Sequence, residues 1–106
     1  MSMDMNKMMQ QVQQMQAEMA KAQDELANER VEASVGGGMV TVTASGAGEI
    51  VAVKISPEAI DADDPETLED LVLAGVNEAL RNAQELAQSK LGGAVGGLKG
   101  LGLPGL

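Results

Sequence analysis

The chain reads as an α+β domain, a two-layer α-β-β-β-α order built round a three-stranded antiparallel meander. Three observations predict it. β-Branched runs occupy 31–35, 39–44 and 50–55; Gly36-Gly37-Gly38 and Gly46-Ala47-Gly48 separate them; and long stretches with apolar residues at helical spacing flank them on both sides. Valine, isoleucine and threonine suit a pleated, half-buried surface, and joints this short force neighbouring strands antiparallel. One domain is expected over residues 1–91, followed by a flexible Gly/Leu-rich tail over 92–106.

Residues 1–30 predict the first helix. Met5, Met8, Val12, Met15, Met19, Ala22 and Leu26 follow one another at alternating gaps of three and four, a heptad seam. Asp4 is the expected N-cap, and the Gln, Met, Ala, Glu and Lys between the seam positions favour helix. The seam is expected to pack against the sheet, the other helix or a second subunit. Lys7 and Lys21 share a heptad position, about 21 Å apart along the axis at 1.5 Å per residue. That spacing suits a phosphate backbone, although Glu18 and Glu25 stand where they would neutralise Lys21.

In the meander, strict alternation puts Val40, Val42 and Ala44 on one face with Val51, Val53 and Ile55. The other face then carries Met39, Thr41, Thr43, Ile50 and Ala52, half apolar and in want of cover. With no aromatic residue in 106, the core is thin. Both features predict a homodimer, with Ile50 and Ala52 at its interface.

Ser56-Pro57-Glu58 predicts a turn in which serine caps and proline opens a helical loop. The acidic run from Glu58 to Asp70 contains no base. It does not fit a calcium loop: Pro65 takes a ligand position, and Glu66 stands where the sharp turn needs glycine. Its expected work is local, with Asp64 capping a helix that opens at Pro65. That second helix is expected to run to Lys90, with Leu68, Leu71, Val72, Val76, Ala79, Leu80, Ala83, Leu86 and Ala87 as its apolar stripe. Gly75, Ala79 and Ala83 make part of it narrow enough for a close neighbour, and Arg81 lies in pairing range of Glu78 and Glu85. Beyond Gly92 the glycine density predicts neither helix nor strand.

Without histidine or cysteine the chain has no imidazole base, thiolate or ordinary zinc site, so neither an enzyme, a cofactor nor a metal is expected. No run approaches a membrane span, no secretory segment opens the chain, and cysteine-free composition suits the cytoplasm. A net charge of −9 taken alone argues against nucleic acid.

The order of elements, together with Ile55-Ser56-Pro57-Glu58-Ala59-Ile60, Leu68-Glu69-Asp70-Leu71-Val72, Asn77-Glu78-Ala79, Gly46 and the Met/Gln-rich first helix, resembles the bacterial YbaB/EbfC nucleoid-associated family over about residues 5–91. The resemblance implies a small cytoplasmic homodimer, tweezer-like in outline, that binds duplex DNA in the nucleoid and alters its conformation. It implies no membrane and no small-molecule substrate. Some relatives carry paired arginines on the third strand, where this chain has Val51-Ala52-Val53 and then Lys54; others carry adjacent arginines where it has Arg81-Asn82. The DNA-contacting residues expected here are Lys7, Lys21, Arg81 and Lys90 as one stripe, with Lys54 apart on the strand. Contacts would be to phosphates, hence little dependent on sequence and steeply salt-sensitive. The competing reading is a coiled-coil protein-interaction module resembling prefoldin, against which stand the short first helix and the three-strand meander.

Overall fold

The computed structural model describes the backbone of residues 2–99 and the side chains from Asp4 to Gly92. Helix α1 (Ser2–Asn28) leads into strands β1 (Arg30–Val35), β2 (Val40–Ser45) and β3 (Ile50–Ile55), a short 3-10 turn at Pro57–Ala59, and helix α2 (Pro65–Lys99). The sheet order is β1-β2-β3 and both pairs are antiparallel, as the sequence predicts. The first hairpin closes through Gly36, Gly37 and Gly38, all at positive φ, a run of conformations that only glycine adopts without strain.

Helix α2 lies across β1 and β2. Its narrow side is what permits this: Ala79 and Ala83 are buried, and a Cβ built on Gly75 would stand 2.8 Å from Val42 Cγ2. Beneath it lie Ala33, Val40, Val42 and Ala44, of which Val40 and Val42 are the largest fully buried side chains among the described residues. Fully burying a side chain of that size stabilises by about 1.5–3 kcal/mol, so the core of one chain is modest. Leu26 and Ala22 at the end of α1 form a second buried patch, with Leu26 seated on the backbone of Gly46.

Strand β3 departs from strict alternation. Val42 faces Val53 and Thr43 faces Ala52, but Ala44 faces Ile50, so the register slips by one residue at Thr43/Ala44. Cross-strand partners share a face, and the slip therefore carries Ile50 to the helix side of the sheet. The expected half-apolar second face is corrected accordingly. Its rows are Glu32, Thr43 and Ala52, and Ser34, Thr41 and Lys54, with Ser34 Oγ 3.3 Å from Thr41 Oγ1. The uncovered apolar surface is instead on the helix side of β3, where Val51 and Val53 are each 44% exposed because α2 sits over the other two strands.

Several ends also differ from expectation. Asp4 lies inside the first turn of α1 rather than at its N-cap, and α1 stops at Asn28, whose side-chain amide donates to the Asp24 carbonyl at 3.0 Å. Ser56 occupies the cap of the 3-10 turn without a side-chain hydrogen bond; its backbone N–H donates to the Met39 carbonyl at 2.8 Å. Asp64 caps α2 as expected, its Oδ1 accepting from Thr67 N–H at 3.3 Å and its Oδ2 from Thr67 Oγ1 at 2.6 Å. Helix α2 runs on to Lys99, through glycines at which the sequence predicts no helix. Extending an existing helix needs no new nucleus, and each glycine costs only about 1 kcal/mol relative to alanine. The rest of the expected tail, 100–106, lies outside the described residues.

Two outcomes follow from this packing. A Cβ at Gly46 would stand 2.6 Å from the Leu26 carbonyl oxygen, a backbone atom that cannot swing aside. Gly46→Ala should therefore lower the unfolding free energy by roughly 1–3 kcal/mol, read from denaturant midpoints at unchanged slope. Ending the chain after Leu91 should leave the thermal midpoint almost where it is, because the sheet core is complete before that residue.

Candidate nucleic-acid interface

The molecule is long and narrow, 75 × 24 × 16 Å. Its long axis follows from the two helices. Helix α2 starts at the Gly36 end of the sheet, where Leu71 sits over Gly36, and passes to the opposite end, where Ala83 and Ala87 line a recess with Gly46, Ala47 and Gly48. It then meets the last turns of α1. Since α1 runs toward the sheet and α2 away from it, the two are antiparallel there, and α1 projects beyond the sheet as an arm.

Charge is segregated along this axis. At the Gly36 end, between Glu58 and Asp70, stand seven acids and no base. On the arm, between Met5 and Ala17, the one charged residue is Lys7. The negative charge that argues against nucleic acid is thus concentrated at the end of the molecule remote from the arm.

The four cations expected to form one stripe, Lys7, Lys21, Arg81 and Lys90, do not. Lys7 and Lys21 are exposed on the same flank of α1, and among the described residues neither has a carboxylate within 4.0 Å. The expected neutralisation of Lys21 by Glu25 does not occur, because Glu25 turns to Lys90. Arg81 and Lys90 are nine residues apart, about 180° round the helix at ~100° per residue, and so occupy opposite faces of α2. Arg81 points outward, 61% exposed, with its Nη1 donating to Glu78 Oε2 at 2.7 Å. An exposed pair of this kind contributes little and yields readily to a competing anion. Lys54 lies on the polar face of the sheet opposite Thr41.

Lys90 is paired across the two helices. Its Nζ donates to Glu29 Oε1 at 2.7 Å and lies 3.1 Å from Glu25 Oε2, tying α2 to the last turns of α1. The hydrogen bond to Glu29, then that to Glu25, raises the Lys90 pKa above its ordinary value. The clamp therefore contributes fully below the ordinary lysine value of about 10.4 and is lost as pH rises through the higher folded value. The spacing of charges along α2 could not show this, since Glu29, the nearer partner in sequence, lies 61 residues away. Lys90→Gln should speed amide exchange in residues 22–28 at neutral pH, and at strongly alkaline pH wild type and variant should converge. Equal exchange at neutral pH would remove the clamp from the account.

The sequence profile described as the YbaB/EbfC DNA-binding family matches residues 1–98. A nucleoid-associated protein of Thermoanaerobacter sp. (strain X514) is 52% identical over 103 residues, covering 97% of this chain and 90% of the relative. Nucleoid-associated proteins of Pelotomaculum thermopropionicum and Rhodococcus opacus (strain B4) are 50% and 48% identical, each over 97% of this chain and over 95% and 91% of their own lengths. Among solved structures, the uncharacterized protein HP0035 from Helicobacter pylori superposes with a TM-score of 0.70 over 79% of this chain and 88% of that one, at 20% identity, a likeness of fold. The chain belongs to the YbaB/EbfC DNA-binding family.

Proposed function

We propose that this protein binds duplex DNA in the nucleoid as a homodimer, holding phosphates with the arms formed by α1. The observation that carries the reading is the charge segregation: Lys7 and Lys21 on α1 are exposed with no carboxylate within 4.0 Å among the described residues, while seven of the sixteen acids, with no base among them, lie at the far end. Exposed lysines on a stretch with few other charges contact phosphate without reading bases, and the acidic end disfavours approach of DNA from its own side. Arg81, outward and loosely paired, is a further phosphate contact; Lys90 sets the arm against the body. Membership of a DNA-binding family supports this reading over the chaperone-like alternative, and among the described residues no helix is long and apolar enough to cross a membrane.

The dimer has physical support in the uncovered apolar face. Ile55, Leu68, Val72, Leu73 and Val76 line a groove of about 630 Å³ between α2 and the end of β3, and Val51 and Val53 on the same strand are exposed. A second copy covering this face would bury it around a two-fold axis, which doubles each cation and sets two arms on one assembly, a tweezer outline.

In gel-shift titrations at low salt, Lys7→Glu combined with Lys21→Glu should weaken binding by tenfold or more, whereas Lys54→Glu should change it little. Wild-type binding by the double variant would refute the arm as the site. Sedimentation equilibrium should give a dimer for wild type and for Ala52→Asp, but a monomer for Val53→Asp. A dimer that dissociates with Ala52→Asp and not with Val53→Asp would return the interface to the polar face.

A further inference from the structure

The methionine seam of α1 has two fates. Ala22 and Leu26 are buried against the body, but Met5, Met8, Met9 and Val12 are 67%, 64%, 61% and 52% exposed. Two shallow grooves meet at Val12 and run end to end along this stripe, the first lined by Met5, Met8, Met9 and Gln13, the second by Met15, Gln16 and Met19. No charged residue lines either one. A contiguous apolar stripe on a protruding helix is unusual unless something covers it.

We propose that the chain's own residues 100–106, Gly-Leu-Gly-Leu-Pro-Gly-Leu, lie along this stripe. Reach is the first argument. Lys90 stands beside Glu25 and Glu29, and α2 continues for nine residues to Lys99, antiparallel to α1. At 1.5 Å per residue it ends about level with position 18 of α1, where the exposed stripe begins. From there to Met5 is about 20 Å along the arm, and seven extended residues span up to about 25 Å.

Chemistry is the second argument. Residues 100–106 hold no charged or long polar side chain, matching a groove walled by methionine, valine and glutamine. Leu101 and Leu103 project from the same side of an extended chain about 6.6 Å apart. Seam residues four apart on a helix repeat at about 6 Å, so successive leucines meet successive gaps between methionines. Adaptable thioethers close round leucine without a preset shape. The intervening glycines let the backbone approach the helix, and Gln13 and Gln16 offer amides to its peptide groups.

Peroxide footprinting read by peptide mass spectrometry tests the proposal, because a covered thioether oxidises slowly. The full chain is compared with a chain ended after Lys99 and with a full-length Leu101→Ser, Leu103→Ser, Leu106→Ser variant, half-buried Met39 serving as the internal reference. Circular dichroism checks that α1 stays helical in all three. Oxidation at Met8 and Met9 should be severalfold faster in both altered proteins, with Met39 unchanged. Equal rapid oxidation in all three would overturn the proposal, because the stripe would then be bare. Equal slow oxidation in all three would overturn it too, by assigning the cover to another surface such as α1 of a second copy.

Discussion

The contact on which the architecture depends is that of α2 with the central strand. Val42 Cγ2 reaches to where a Cβ on Gly75 would sit, and Ala79 and Ala83 continue the same narrow side along β2. A helix this close to a strand gains dense packing. It cannot, however, be wide enough to roof three strands. Covering β1 and β2 leaves β3 with Val51 and Val53 in the open, and it leaves the flank of α2 from Leu68 to Val76 as one wall of a groove. The tight contact and the unfinished surface have one cause.

The same helix also sets the direction of the molecule. Because α2 crosses the sheet from the Gly36 end to the Gly46 end, it carries the acidic turn to one extremity and delivers Lys90 to the base of the arm at the other. Charge separation along a 75 Å axis is a property of this topology as much as of composition. Charges more than about a Debye length apart, 8–10 Å at ordinary salt, are largely screened from one another, so a phosphate beside Lys7 feels little of the carboxylates in the Glu58–Asp70 run. An acidic protein can in this way present an exposed cation on its arm, where Lys7 is the one charge between Met5 and Ala17.

Much of the fold is legible in the sequence. The β-branched runs and glycine joints mark the strands, the apolar stripe with its small residues marks the face of α2, and Asp64-Pro65 marks where that helix starts. These are local signals, each contained in a few consecutive residues. What escaped them was non-local. The slip at Thr43/Ala44 turns Ile50 to the other face, and no feature of either strand read alone announces it, because a bulge is a property of the pair. Lys90 reads as a last-turn cation until Glu25 and Glu29 are brought beside it from the other end of the chain. The expected stripe of four cations is broken by phase: Arg81 and Lys90 share an element, but nine residues, two and a half turns, separate them. Lys7 and Lys21, grouped by heptad position on one helix, do share a flank.

The claim at the centre of this account is that few, local, phosphate-directed cations suffice for DNA binding by an acidic dimer. The most direct measurement of it is the slope of log K against log [salt] for duplex DNA, by fluorescence anisotropy from low to physiological salt. Two exposed arm lysines per chain, with Arg81 as a further contact, let a dimer neutralise about four to six phosphates, so the slope should be roughly −4 to −5 and nearly the same for unrelated sequences. A slope near zero, or one that changes strongly with sequence, would contradict the account.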